Sequence, residues 1–288
     1  MEWKLRQMKE DIRKSVGLLI VQPIHMFSIT LLSLLLPLSF LLLARLSTAH
    51  YLLSLTSLTP PKTFLFSLFL HTNTNLLHVL VLVVSLAALI HALTGRISLL
   101  TELPGPISRP HVHLAWMFLC SLQLCVGLGV EATIEAGVNG PAFGVGRSVI
   151  SKLVFFMGLH ETMIHWCRTI VRPIVNDTVY GHHRQETWPE RWALAACYGL
   201  LSWWRLRGEV DSLVIVMEVK RDMMIKVGLG DCIGFVLYYL TVAIGMSKIV
   251  KGVMWFCMNF FWRRLVDDHL DDDHDLELED KFDDPSFV

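Results

Sequence analysis

Residues 148–171 read SVISKLVFFMGLHETMIHWCRTIV, from Ser148 to Val171. A membrane crossing needs about 20 residues at a rise of about 1.5 Å each, so this stretch is long enough to span, and its flanks are apolar. Yet Glu161 falls near its middle, with His160, His165, Arg168 and Arg172 beside it. A charged side chain at mid-bilayer costs roughly 2.5–3.5 kcal/mol on insertion scales, and such groups face a protein interior or a wet cavity. The stretch therefore reads as the buried central helix of a multi-pass membrane protein.

Composition agrees. Of 288 residues, 53% are hydrophobic and 18% charged, where a soluble chain carries about 25% charged residues. The apolar excess sits in runs, which is the membrane pattern. The fold class expected is all-α: a polytopic membrane helix bundle of five to six spans. Beyond the central helix, spans are expected at about 26–44, 76–93, 112–130 and 228–246. Shorter apolar segments occupy 192–204 and 253–262, and the first of these, ending in Trp203-Trp204-Arg205, is too short for a full span. It reads as interfacial or re-entrant. Pro37 lies inside the first span and is expected to kink it.

The ends differ in charge. Residues 1–15 carry Lys4, Arg6, Lys9, Arg13 and Lys14 around Leu5, Met8 and Ile12 at helical spacing, a basic amphipathic helix suited to an anionic membrane face and unlike a signal peptide. Residues 265–288 form an acidic tail, expected to stay disordered because like charges repel and little can be buried. The net charge of −1 implies no nucleic-acid partner. Residues 16–264 make up the membrane domain between these ends.

Lys/Arg counts place the N-terminus in the cytoplasm, with Arg45 and Lys62 in the first external loop. The rule then stalls. If 192–204 does not cross, Arg205, Arg207, Lys220, Arg221 and Lys226 are inside and Lys248, Lys251, Arg263, Arg264 and Lys281 outside; if it does, the sets exchange. Each holds five charges. The Trp-Arg-Arg ending at Arg264 resembles a stop-transfer flank and favours an internal C-terminus. The sequon Asn176-Asp177-Thr178 then lies in the cytoplasm and stays bare.

No motif specifies a reaction. HETMIH is HExxxH, and five residues turn a helix by about 500°, so His160 and His165 point about 140° apart and cannot grip one metal as an i, i+4 pair does. His111/His113 and His182/His183 do not complete a histidine-box set. The glycines Gly137, Gly140, Gly144 and Gly146 follow no strand and precede no Lys-Ser/Thr, so the phosphate-loop reading fails its context test. The six cysteines form no CxxC and read as buried thiols. No catalytic residue, metal or cofactor is expected.

Glu161, His165, Arg168 and Arg172, spaced four, three and four apart, form one polar stripe on the helix. Its candidate partners are His78 on the second span and Gln123 or Glu131 on the third. Gly230 and Gly234, a small-xxx-small pair, are candidates for close helix packing. The run ETMIHWCRTIVRPIVNDTVYG, with a fainter echo in TVAIGMSKIVKG, resembles a segment of a plant family of uncharacterised multi-pass transmembrane proteins. The resemblance implies a membrane protein and supplies no activity. The function expected is a non-enzymatic membrane organiser or partner-binding component, with the lipid bilayer, protein partners or a second copy as partners, in the endomembrane system or plasma membrane. The alternative is a small carrier or channel for protons, ions or a small solute that uses the polar stripe.

Overall fold

A computed structural model describes residues 22–55, 64–72, 74–94, 110–138, 148–180, 187–224 and 227–280. The basic N-terminal helix, the glycines at 140, 144 and 146, His182/His183 and residues 281–288 lie outside the described residues. Among the described residues every regular element is helical, as the all-α reading requires. Four helices are long and apolar enough to cross a membrane: Gln22–Leu55, Asn75–Thr94, His111–Glu135 and Leu229–Trp262.

We label the helices in chain order: α1 Gln22–Leu55, α2 Phe64–His71, α3 Asn75–Thr94, α4 Pro110–Glu135, α5 Val149–Trp166, α6 Trp188–Leu201, α7 Ser212–Asp222 and α8 Leu229–Asp280. The chain divides into two compact units, residues 1–245 and 246–288, and the contacts below belong to the first.

Helix α1 outruns the expected 26–44 span. It continues through the segment assigned to an external loop, because Arg45 is neutralised inside the bundle rather than hydrated. Its turn falls at Leu34, just before Pro37, whose missing N–H and bulky ring disturb the carbonyl four residues back. Helix α5 does not stop at Trp166: a π-helical turn, Cys167–Val171, leads through Arg172–Val175 into a second, Asn176–Tyr180. The apolar run at 192–204 is likewise part of something longer. Helix α6 passes through a π-helical turn, Ser202–Leu206, to Arg207–Glu209.

Side-chain pairings give the helix directions. Along α1 and α5, Phe40 meets Phe155, the Leu32 carbonyl accepts from the Trp166 indole, and His25 meets Asn176, so the two run antiparallel. Along α1 and α6, His25 meets Glu190 and Arg45 meets Glu209, so these run parallel. Those two contacts are roughly 20 residues apart on each helix, about 30 Å at helical rise. The core between them is apolar: Phe40, Phe155, Leu159, Met163 and Leu206 are all nearly inaccessible. Phe155 stacks on Tyr238 with ring centroids 4.9 Å apart, and such pairs contribute about 0.5–1.5 kcal/mol beyond their area.

Close packing matters more here than apolar burial, because lipid is as apolar as leucine. The tightest approach is between α5 and α8. A Cβ on Gly158 would overlap the Thr241 carbonyl and come within 2.9 Å of the Gly245 nitrogen, and one on Gly245 would overlap the Val154 carbonyl. Gly230 and Gly234 also pack, against His78 and Leu213, at ordinary to slightly tight contact distances.

The helix of α8 holds both the 228–246 span and the 253–262 aromatic run, and its backbone stays helical to Asp280. The helix thus takes in the described part of the 265–288 tail, for which charge alone predicts disorder. Helix α4 ends as its glycine requires. Gly137 has φ +70°, its N–H donates to the Ile134 carbonyl, and the Val138 N–H donates to that of Thr133, the two bonds of a Schellman cap.

Candidate functional site

The chemistry-bearing side chains fall into three levels along α1. At one end, His25 is buried between two neighbours. Its Nε2 lies 2.7 Å from Asn176 Oδ1, and its Nδ1 lies 3.4 Å from Glu190 Oε1. Arg172 Nη2 reaches the other Glu190 oxygen at 3.4 Å. Glu190 sits here because it closes the N-terminal capping box of α6: the Thr187 N–H donates to Glu190 Oε2 at 3.3 Å, and a Thr-x-x-Glu spacing is made for that exchange. The π-helical turns of the α5 extension set the register that brings both Arg172 and Asn176 to this cluster. Asn176 is buried in the folded bundle, so the side chain that would carry a sequon glycan is already engaged.

At the other end, Arg45, the largest fully buried side chain, donates from Nε and Nη2 to the two carboxylate oxygens of Glu209. Its Nη1 donates to Thr133 Oγ1 at 3.3 Å. Arginine's fork suits such two-point pairing, and the contact joins α1, α4 and the extension of α6. Nearby, Lys220 Nζ and Asp231 Oδ2 are 2.7 Å apart, and Ser47 Oγ reaches Asp231 Oδ1 at 3.3 Å, linking α7, α8 and α1. Lys152 of α5 pairs with Asp211 at 2.7 Å. Each of these pairs closes a positive group on a negative one from another element.

The middle level holds the sequence-expected stripe, and its members turn to different neighbours. Helix α5 faces α3 through His165, whose ring centroid is 5.1 Å from that of His91. His160 lies 5.2 Å from the Tyr198 ring of α6, so the two histidines of HExxxH do address separate helices. Glu161 and His165 are half-buried, Arg168 is exposed, and Arg172 belongs to the His25 cluster. A π-helical turn bonds i to i+5, so beyond Trp166 the spacing of four no longer keeps residues on one edge. Of the candidate partners, His78 is buried and its Nδ1 donates to the Thr74 carbonyl at 3.0 Å. Gln123 is buried on α4, and Glu131 is exposed. Among the described residues, no group of three or more His, Cys, Asp or Glu side chains is arranged to hold a metal ion.

Sequence reasoning missed His25, Arg45, Lys152, Glu190 and Glu209. Two signals were available: Thr187-x-x-Glu190 as a capping box, and Thr241-x-x-x-Gly245 as a small-xxx-small spacing at the α5–α8 approach. Arg45 and Glu209 had none, because nothing local marks two residues so far apart as a pair. Comparison with known proteins adds no identity: no family model, no curated protein and no solved structure matches this chain.

Proposed function

We propose that this chain is a polytopic integral membrane protein acting as a non-enzymatic membrane organiser or partner-binding component, with its N-terminus in the cytoplasm and its place in the endomembrane system or plasma membrane. One observation carries the reading: the interior charges are closed on one another across helices, as in Arg45–Glu209, Arg172–Glu190, Lys220–Asp231 and Lys152–Asp211. A conduction path needs groups that can exchange ions with a solvated route. Ion pairs sealed between packed helices instead fix helix positions, a role suited to a rigid scaffold whose outer faces meet lipid and partners.

A small carrier or channel for protons, ions or a small solute is the second reading, favoured by the tilted His91 and His165 ring pair between α3 and α5 at the level of Glu161. Reconstituted vesicles separate the two. The scaffold reading expects proton and cation flux no greater than in protein-free vesicles. A flux in the wild type that disappears in folded Glu161→Gln and His165→Ala variants would establish the carrier and overturn the scaffold. Stoichiometric zinc or iron in the purified protein would instead point to a membrane enzyme.

A further inference from the structure

We propose that the helix from Trp188 to Glu209 is itself a membrane crossing, and that its outward face is a lipid-contact surface held between two tryptophan–arginine collars. Charge counting along the chain leaves this open, and the apolar run alone is too short. Three observations of different kinds support it.

The first is register. Helix α6 and its π-helical extension keep pace with α1 from the His25–Glu190 contact to the Arg45–Glu209 contact. Helix α1 is one of the four long enough and apolar enough to span, so a parallel helix in register with it over about 30 Å passes through the same layer. The second is the inward seam. Glu190, Leu194, Tyr198, Ser202, Leu206 and Glu209 are all buried, one residue per turn, and the Tyr198 hydroxyl donates to the Phe156 carbonyl at 2.7 Å. The π-helical turn at Ser202–Leu206 absorbs the spacing of four that an α-helix could not sustain over so many turns.

The third is the opposite face. Trp188 and Trp192 are 71% and 60% exposed and pack edge to face beside exposed Arg191, while Trp204, 80% exposed, stands beside exposed Arg205 and Arg207. Between the collars the exposed residues, among those described, are Ala195, Ala196, Gly199 and Leu200, and none is charged. Tryptophan with arginine at each border of an uncharged face is the arrangement that sits at the two water interfaces of a bilayer. Trp188 to Trp204 covers about 24 Å at helical rise, somewhat less than a typical hydrocarbon layer of about 30 Å, a mismatch that snorkelling arginines and local thinning accommodate. The crossing places Arg205, Arg207, Lys220 and Arg221 on the side opposite Arg191.

Single cysteines at two exposed positions test the crossing: Pro189→Cys, and Gly208→Cys, where an added Cβ meets open space. A membrane-impermeant maleimide is applied to sealed membrane vesicles of uniform orientation before and after permeabilisation, with the wild type as background. The expected result is labelling of one position in the sealed vesicles and a gain of label at the other only on permeabilisation. Both positions labelled before permeabilisation, or both only after it, would make the helix re-entrant or interfacial and overturn the proposal. Epitopes inserted in residues 181–186 and 225–226, read by antibody in the same way, give the answer independently of the cysteines. For the lipid face, purified protein is reconstituted with brominated phosphatidylcholine. The fluorescence that Trp204→Phe removes should be a component that brominated lipid quenches in the wild type; an unquenched Trp204 would overturn the lipid-contact face and mean that another protein surface, such as a second copy, covers it.

Discussion

A single methyl group separates glycine from alanine, and at Gly158 it has nowhere to go. The obstruction is backbone, the Thr241 carbonyl and the Gly245 nitrogen, so no rotamer change relieves it and the α5–α8 seam must open. Gly158→Ala and Gly245→Ala are each expected to lower the melting temperature in detergent sharply or to prevent recovery of folded protein, whereas Gly208→Ala should leave both unchanged. Arg45 presents the electrostatic counterpart. Removing one partner of a buried, hydrogen-bonded pair strands the other charge, at a cost of about 3–5 kcal/mol, while apolar replacement of both partners is often neutral. Arg45→Met and Glu209→Leu should therefore each destabilise the protein strongly in denaturant titration, and the double variant should recover most of the loss. Additive losses would mean that the pair is not the link described here.

Helix ends and interruptions follow local chemistry where the needed residue type is present. Gly137 closes α4 with a left-handed cap, and Thr187 with Glu190 opens α6. Helix α7 ends less comfortably: Met224 carries φ 54° and is 95% exposed, so its side chain gains nothing in exchange for a conformation that costs a non-glycine residue about 1–2 kcal/mol. Met224→Gly is expected to raise stability by about 1 kcal/mol, after the entropy lost to the more flexible unfolded chain, measurable as a higher melting temperature. At this scale the sequence was legible for the four long apolar helices, whereas the expected 148–171 span is not among those long and apolar enough to cross. The sequence was not legible for the lengths of α1, α5 and α6. Hydropathy stops at a charge, but Arg45, Arg172 and Glu209 are carried inside their helices by partners that no local window contains.

Across the whole chain, residues 1–245 hold every ion pair described above, and residues 246–288 form a separate compact unit. Truncation after Arg264 is accordingly expected to leave the melting temperature of the remaining protein within a degree or so of full length (on the scale where 1 kcal/mol moves it by about 2–4 °C). A large fall would reveal that the tail stabilises the bundle. The molecule otherwise has an ordered internal plan: charged links at His25 and Arg45 of α1 and an apolar, aromatic-rich core between them. That plan resists torsion and sliding of helices, since every link joins different elements.

The amino-acid sequence alone determined that the chain is helical and that it carries helices long and apolar enough to cross a membrane, because helical periodicity and hydropathy are local properties of a segment. Only the tertiary structure decided which charge meets which. His25 with Glu190, Arg45 with Glu209 and the glycine-to-glycine approach of α5 and α8 join residues far apart in the chain, and their pairing depends on helix directions and π-helical register that arise when the whole bundle packs.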